Sequence, residues 1–259
     1  MRSFDYTFST RIEYSQAPST QDFLLRAIAI NGHFQRLHNA KLEVVSCDNL
    51  AFQYDAFGNW VQVGRISKAQ NFFEFRSTAC VFQTKYAIFE DYNPIYLYPT
   101  NLTKANDAIL DFFLSLDLKD SQDNLIKAKK ICDAVFNLMT YTKSVTNSAT
   151  TAQEAFAQKA GVCQDYVQIA IALCRLAKIP ARYVNGLIAG DGESHAWIEI
   201  WDNYRWYAFD PTNDLQVEYG YIKISNGRDA RDCALNKGII SCIAQQSIVS
   251  SVSVYENFA

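Results

Sequence analysis

Gly161-Val162-Cys163-Gln164-Asp165-Tyr166-Val167-Gln168-Ile169-Ala170-Ile171-Ala172-Leu173-Cys174-Arg175-Leu176-Ala177-Lys178 decides the fold. Apolar residues cover most of its circumference at helical spacing: Val162, Tyr166, Val167, Ile169, Ala170, Ile171, Leu173, Cys174 and Leu176. A helix that is apolar on nearly all sides is buried at the centre of a domain, not laid on its surface. It must end before Pro180, whose ring and missing N–H break the helical ladder.

C-terminal to this helix the period changes. Arg182 to Leu187, His195 to Trp201 and Trp206 to Phe209 read as strands, and Asp202-Asn203-Tyr204-Arg205 is short enough to close the last two into a hairpin. If the loop holds an even number of residues, Trp201 lies across from Trp206. His195, Trp197 and Asp210 then share one face, because side chains alternate strictly along a strand. An odd loop, absent a bulge, would put Asp210 on the other face. The aromatic pair favours the even register by up to ~1 kcal/mol.

N-terminal to the central helix, Ala105 to Leu116 and Leu125 to Met139 carry apolar residues three and four apart, and Ala152 to Gln158 reads as a further short helix. The segment Asn93 to Thr100 has two prolines and no helical period, so it is expected to be extended. Before it, Phe4, Tyr6 and Phe8 alternate with polar residues, and short runs follow at Leu42 to Val45, Ala51 to Tyr54, Trp60 to Val63 and Phe72 to Thr78. Cys47-Asp48-Asn49 and Phe57-Gly58-Asn59 punctuate them. Residues 20 to 38 show no clear element. The order predicts an α+β protein: a small β-rich domain over 1–92, then a domain over 93–259 with a central helix packed on an antiparallel sheet.

Composition narrows the function. A net charge of −3 with basic residues dispersed predicts no nucleic-acid footprint. No apolar run reaches the ~18 to 20 residues of a membrane-spanning helix, so no membrane partner is expected. Met1 to Phe8 alternates polar and apolar residues, unlike a secretory leader. The seven cysteines (Cys47, Cys80, Cys132, Cys163, Cys174, Cys233, Cys242) are odd in number and contain no C-x-x-C pair. They read as reduced thiols of a cytoplasmic protein, not as a disulfide framework or zinc site. No metal and no cofactor is expected, and the oligomeric state is left open.

Among these thiols, Cys163 differs from Cys174 by position. It stands at the start of the central helix, where free N–H groups favour a thiolate and can hold a developing oxyanion. His195, the only histidine after His38, opens its strand, and Asp210 ends the next one. An imidazole that shares the thiol proton, oriented by a carboxylate, is what a sulfur nucleophile needs. Each residue has an ordinary structural explanation alone: a buried thiol, a strand-edge histidine, a turn-forming Asp before Pro211. Gln164 and Trp197 are candidate substrate contacts, although Trp197 also suits core packing. Asp165 in the first turn suits the helix dipole, and Arg182 and Arg228 suit pairing with carboxylates.

Gly161-Val162-Cys163-Gln164-Asp165-Tyr166, Ile179-Pro180-Ala181-Arg182-Tyr183-Val184, His195-Ala196-Trp197 and Asp210-Pro211-Thr212-Asn213 resemble, in this order, motifs of the transglutaminase-like superfamily. The resemblance runs from about Ala160 to Asn213. It continues more loosely to about Gly238 through Gly227-Arg228-Asp229, a late element of bacterial members; Ala230 and Leu235 depart from the aromatic and proline usual there. It implies a papain-like cysteine-protease core with Cys163 as nucleophile, His195 as general base and acid, and Asp210 as its orienter. The family spans transglutaminases, peptidases and amidases, so fold does not choose the reaction. The leading expectation is hydrolysis of a peptide or amide substrate through a Cys163 thioester. The alternatives are a transglutaminase in which an amine resolves the thioester, or a non-catalytic scaffold retaining the fold. No acidic cluster resembles the calcium sites of animal transglutaminases, and the second oxyanion donor is not identified.

Overall fold

The computed structural model describes residues 1–119 and 123–257. Six strands come first: β1 (Arg2–Tyr14), β2 (Gln21–Leu25), β3 (Gln35–Val44), β4 (Asn49–Tyr54), β5 (Trp60–Ile66) and β6 (Phe72–Gln83). Helices follow, with two short strands among them: α1 (Asp107–Ser115), α2 (Asn124–Leu138), β7 (Thr140–Tyr141), α3 (Ala152–Gln158), β8 (Ala160–Gly161) and α4 (Cys163–Leu176). The rest is again β: β9 (Ala181–Ile188), β10 (Gly190–Gly192), β11 (His195–Asp202), β12 (Arg205–Asp210), β13 (Leu215–Gln216), β14 (Tyr221–Gly227), β15 (Asn236–Ile240) and β16 (Gln246–Asn257). The fold is α+β. Among the described residues no helix is long and apolar enough to cross a membrane.

The central helix is α4, buried without interruption from Asp165 to Arg175. Ile169, Ile171 and Leu173 are fully buried against α2, α3 and one face of an antiparallel sheet ordered β13-β12-β11-β9-β14. Burying each such side chain contributes about 1.5–3 kcal/mol. The helix ends where Lys178 turns left-handed (φ 59°) and Ile179 N–H closes on Cys174 O at 2.9 Å, just ahead of Pro180.

A second core lies between two further sheets, ordered β10-β16-β1-β6-β3 and β15-β2-β5-β4. Phe4, Phe8, Phe73 and Phe75 fill it, and Leu187, Ile222 and Ile224 of the central sheet pack against them. Strands from both sides of residue 92 share these sheets. β16 pairs with β1 along nearly its whole length, from Ser3↔Asn257 to Tyr14↔Gln246, while β15 pairs with β2 and β10 with β16.

One sequence expectation is corrected. The segment Asn93 to Thr100 is not uniformly extended, because Pro94–Leu97 forms a 3-10 turn. Asn93 caps it by accepting the Ile95 N–H at 3.0 Å, and Pro94 occupies the first helical position, where its fixed φ fits and its missing N–H costs nothing.

On the sheet face away from α4 a buried ion cluster sits among aromatic rings. Glu199, fully buried on β11, accepts from Lys223 Nζ at 3.0 and 2.8 Å, from the Arg182 guanidinium and from the Tyr86 hydroxyl. Arg182 also reaches Glu90 at 2.6 Å and lies over the Trp206 ring, 3.9 Å from its centroid. Arg182 thus pairs with carboxylates, and Arg228 does so with Asp232 at 2.8 Å.

Candidate active site

Cys163 is the first residue of α4. Val162 before it is extended (φ −111°, ψ −178°), so the chain enters the helix directly from β8. The first N–H groups of a helix have no partner within it, and the thiol sits half-buried above them. Asp165, three residues on, ties this turn together. Its Oδ2 accepts from Val162 N–H at 2.8 Å and from the Thr146 hydroxyl at 2.7 Å. Burial pushes its carboxyl above the usual carboxylate range. A Cβ at position 161 would lie 2.3 Å from that same Oδ2, so Gly161 is required by close approach. The sequence offered Asp165 only as a dipole partner; the bond to the preceding N–H is the more specific role.

His195 and Asp210 meet through the hairpin. Asn203 and Tyr204 form its two-residue loop, both left-handed (φ 46° and 64°), as the tight turn matching strand twist demands. The register is the even one, with Trp201↔Trp206 and Ile198↔Phe209 paired. His195 and Asp210 consequently fall on one face, and His195 Nε2 lies 2.7 Å from Asp210 Oδ2. Nδ1 is left unbound by Asp210, and Cys163 lines the same cleft as the ring. Burial alone would lower the imidazole's pKa. The hydrogen bond to the Asp210 carboxylate, together with the nearby Cys163, outweighs it and holds the ring at about 10. A ring protonated at neutral pH beside an ionised Asp210 is an ion pair.

Asp210 is itself fully buried and densely bonded. Oδ2 also accepts from the Tyr221 hydroxyl and from Asn213 Nδ2, each at 2.7 Å. Oδ1 accepts from Thr212 N–H at 2.9 Å and Asn213 N–H at 3.3 Å. Burial pushes this carboxyl up, but the bonds from His195, Tyr221 and Asn213 more than offset it and leave it ionised below the usual range. Tyr221 and Asn213 are supports that sequence reading did not single out. Asn213 had a local signal, since a residue just after Asp-Pro can fold back onto the carboxylate. Tyr221 had none, because it arrives on β14, whose place beside β9 is a long-range fact.

The thiol and imidazole open onto a cleft of about 780 Å³. One wall is the loop from Lys143 to Ser148, another the turn from Ala189 to Ser194, and Ile248 of β16 lies at its edge. Lys143 Nζ and Glu193 Oε1, from the two walls, approach to 3.0 Å. β10 forms part of the second wall, with Asp191 held by Ser253 Oγ and Tyr255 OH, each at 2.6 Å. Gln164 lines the cleft, and its Nε2 is committed to Asn147 O at 3.1 Å. Trp197, the other candidate substrate contact, does not reach the cleft. It is fully buried behind the His195–Asp210 pair, its ring 5.3 Å from that of Tyr221 and its indole N–H donating to Tyr86 OH at 3.2 Å. Core packing claimed it.

Residues 114–211 match the family model of the transglutaminase-like superfamily. Over 111 residues the chain is 36% identical to "Uncharacterized protein ML0607" of Mycobacterium leprae, 39% of each chain being covered. Over 137 residues it is 30% identical to "Uncharacterized protein Rv2569c" of Mycobacterium tuberculosis, covering 47% of this chain and 44% of that one. The chain thus spans about four tenths of the length of these curated relatives. A crystal structure described as "a putative cysteine protease from Cytophaga hutchinsonii" superposes with a TM-score of 0.81 at 22% identity, over 100% of this chain and 92% of that one. That likeness covers the β-rich sheets as well as the helical core. Residues 114–211, which hold Cys163, His195 and Asp210, are thus similar to the transglutaminase-like superfamily.

Proposed function

We propose that the protein is a cysteine hydrolase that cleaves peptide or amide bonds through a thioester on Cys163. One observation carries the reading: Cys163, at the open start of α4, lines one cleft with His195, whose Nε2 is 2.7 Å from buried Asp210. The Cys163 thiolate attacks the carbonyl carbon, and the C–O π electrons move onto oxygen. As the tetrahedral intermediate collapses, the C–N bond breaks and the leaving nitrogen takes the proton from His195 Nδ1. The neutral imidazole then deprotonates a water, which attacks the thioester carbonyl. Sulfur leaves as thiolate and the imidazolium is restored. Asp210 stays ionised throughout and keeps the ring turned so that Nδ1 faces sulfur.

Hydrolysis is favoured over amine transfer because the cleft is wide and its walls are polar, with Lys143, Ser144, Asn147, Asp191 and Glu193 exposed. The deciding test is partition of the acyl-enzyme. A peptide-amide panel with 10 mM glycine methyl ester as competing amine should yield mainly free acid, read by mass. Predominant incorporation of the amine would make the protein a transglutaminase instead.

A further inference from the structure

β16 has one edge that is only partly occupied, and backbone parity identifies the groups left open. Tyr14 N–H donates to Asn71 O at 2.8 Å and Ser15 N–H to Gln245 O at 3.0 Å, so even residues of β1 face β6 and odd ones face β16. The β1–β16 register is unbroken from Ser3↔Asn257 to Tyr14↔Gln246. Odd residues of β16 are therefore bonded to β1, and even ones direct N–H and C=O to the other side. There Gly190 and Gly192 of β10 meet Val254 and Val252. Past Gly192 the chain turns off to His195, and among the described residues no strand lies beside Gln246, Ile248 and Ser250.

We infer that this open edge docks an extended peptide, the part of the substrate outside the cleft, which adds as a strand in line with β10. The inference rests on the acyl-transfer reading of Cys163 above, and it names a peptide as the substrate class. A row of unpaired main-chain donors and acceptors is matched by another strand ~4.8 Å away, whatever that strand's side chains. Continuity with the site favours the substrate as that strand. Ile248 lines the same cleft as Cys163 and His195, and β10, which fills the neighbouring stretch of the edge, forms part of the cleft wall. A segment paired with Ile248 and Ser250 thus lies directly at the cleft margin.

The composition of the edge agrees. Free strand edges are ordinarily protected by charge, proline or a bulge. β3, at the opposite edge of the same sheet, carries Arg36, Lys41 and Glu43 and a register shift between His38 and Lys41. Gln246-Ser247-Ile248-Val249-Ser250-Ser251 has no charge, no proline and no shift. Ile248 is 60% and Val249 70% exposed, one on each face of the sheet, so an added strand finds an apolar neighbour on either side. β4 also presents an uncharged edge, but none of its residues lines the cleft.

The test compares two substrates on the full chain: fluorescein-labelled β-casein, an unfolded polypeptide, and p-nitrophenyl acetate, which has no peptide. Ile248→Pro removes an N–H that faces away from β1, where a strand tolerates proline. Ile248→Ala keeps that N–H and removes the side chain. Ile248→Pro should lower kcat/KM on casein by ~10-fold, the effect of one hydrogen bond at the strong end of the usual range, and leave p-nitrophenyl acetate within about twofold. Ile248→Ala should lose far less on casein. Equal losses in the two variants would assign the contact to the side chain and overturn the pairing. A parallel fall with p-nitrophenyl acetate, or no loss with casein, would also overturn it. Amide exchange gives a second reading without turnover or an edge variant. In Cys163→Ala, acetyl-Lys-Thr-Val-Thr-Val-Thr-Lys-amide should slow exchange at Gln246, Ile248 and Ser250, while Ser247, Val249 and Ser251 are slow already. Slow exchange of the even amides without peptide would mean that a second copy or another segment covers the edge, against the inference. A wild type that hydrolyses p-nitrophenyl acetate at Cys163 but not casein would remove the peptide as substrate class. One that hydrolyses neither would remove the acyl-transfer reading itself.

Discussion

Cys163→Ala is expected to lower kcat for amide hydrolysis by more than ~10⁴-fold while leaving the urea unfolding midpoint nearly unchanged. The size of the loss follows from the chemistry. Without sulfur there is no acyl-enzyme, and what remains is the modest catalysis of a binding cleft with hydrogen-bond donors. The small structural effect follows from position. Cys163 is half-buried at the first turn, whereas the packing of α4 is carried by the continuous run from Asp165 to Arg175. The substitution also removes one of the interactions that hold His195 at about 10, so the ring in the variant should titrate at lower pH. Turnover and urea denaturation on the same preparation check both halves. A variant that hydrolyses within tenfold of wild type would assign the reaction to another residue.

Glu199→Gln is expected to destabilise the protein by about 3 kcal/mol, with little direct effect on the thiol. Glu199 is fully buried and is the common partner of Lys223, Arg182 and Tyr86. Removing one member of a buried ion group leaves uncompensated charge, at a cost of about 3–5 kcal/mol. The lower end is expected because Lys223 can shed its proton: burial and the neighbouring Arg182 have already brought it down to about 8. Arg182 cannot do so. Burial pushes the Glu199 carboxyl up, but the charges of Arg182 and Lys223 outweigh that and hold it at about 2. The sign of the pH effect follows. A carboxylate lowered from 4.5 to about 2 contributes stability that is present above pH 4.5 and is lost as pH falls toward 2. Acid destabilisation of the wild type in that window should therefore be reduced in Glu199→Gln. Urea unfolding at pH 7 and pH 3 tests this, and a loss below about 1 kcal/mol at pH 7 would mean that the cluster is not electrostatically coupled as described.

What could be read from sequence was what local patterning determines. The circumference of apolar residues over 161–178 was enough for α4, and the Pro180 stop is where it was expected. Strand parity placed His195 and Asp210 together because an even hairpin loop admits one face only, and the observed turn at Asn203 and Tyr204 has that parity. Asn93 to Thr100 went astray because proline was read as a breaker, when at a first helical position it is a starter. Trp197 shares a face with His195, as alternation required, yet a shared face does not say whether the side chain meets solvent or core. The pairing of β16 with β1 joins residues more than two hundred positions apart, and no local pattern specifies such a partner. Even so, Ser251-Val252-Ser253-Val254 alternates plainly, and Val252 and Val254 are the buried members. Tyr221 reaches the site through such long-range geometry, on β14 beside β9.

The most direct test of the central claim is to trap the covalent intermediate. The protein is incubated with a p-nitrophenyl ester of a capped peptide, quenched in acid within milliseconds to seconds, and digested for mass mapping. The account predicts an acyl adduct on the peptide containing Cys163, none on the buried Cys174, whose thiol burial pushes up to about 12, and no adduct at all in Cys163→Ala. Acylation of another residue, or product formed with no acyl-Cys163 at any time point, would contradict it.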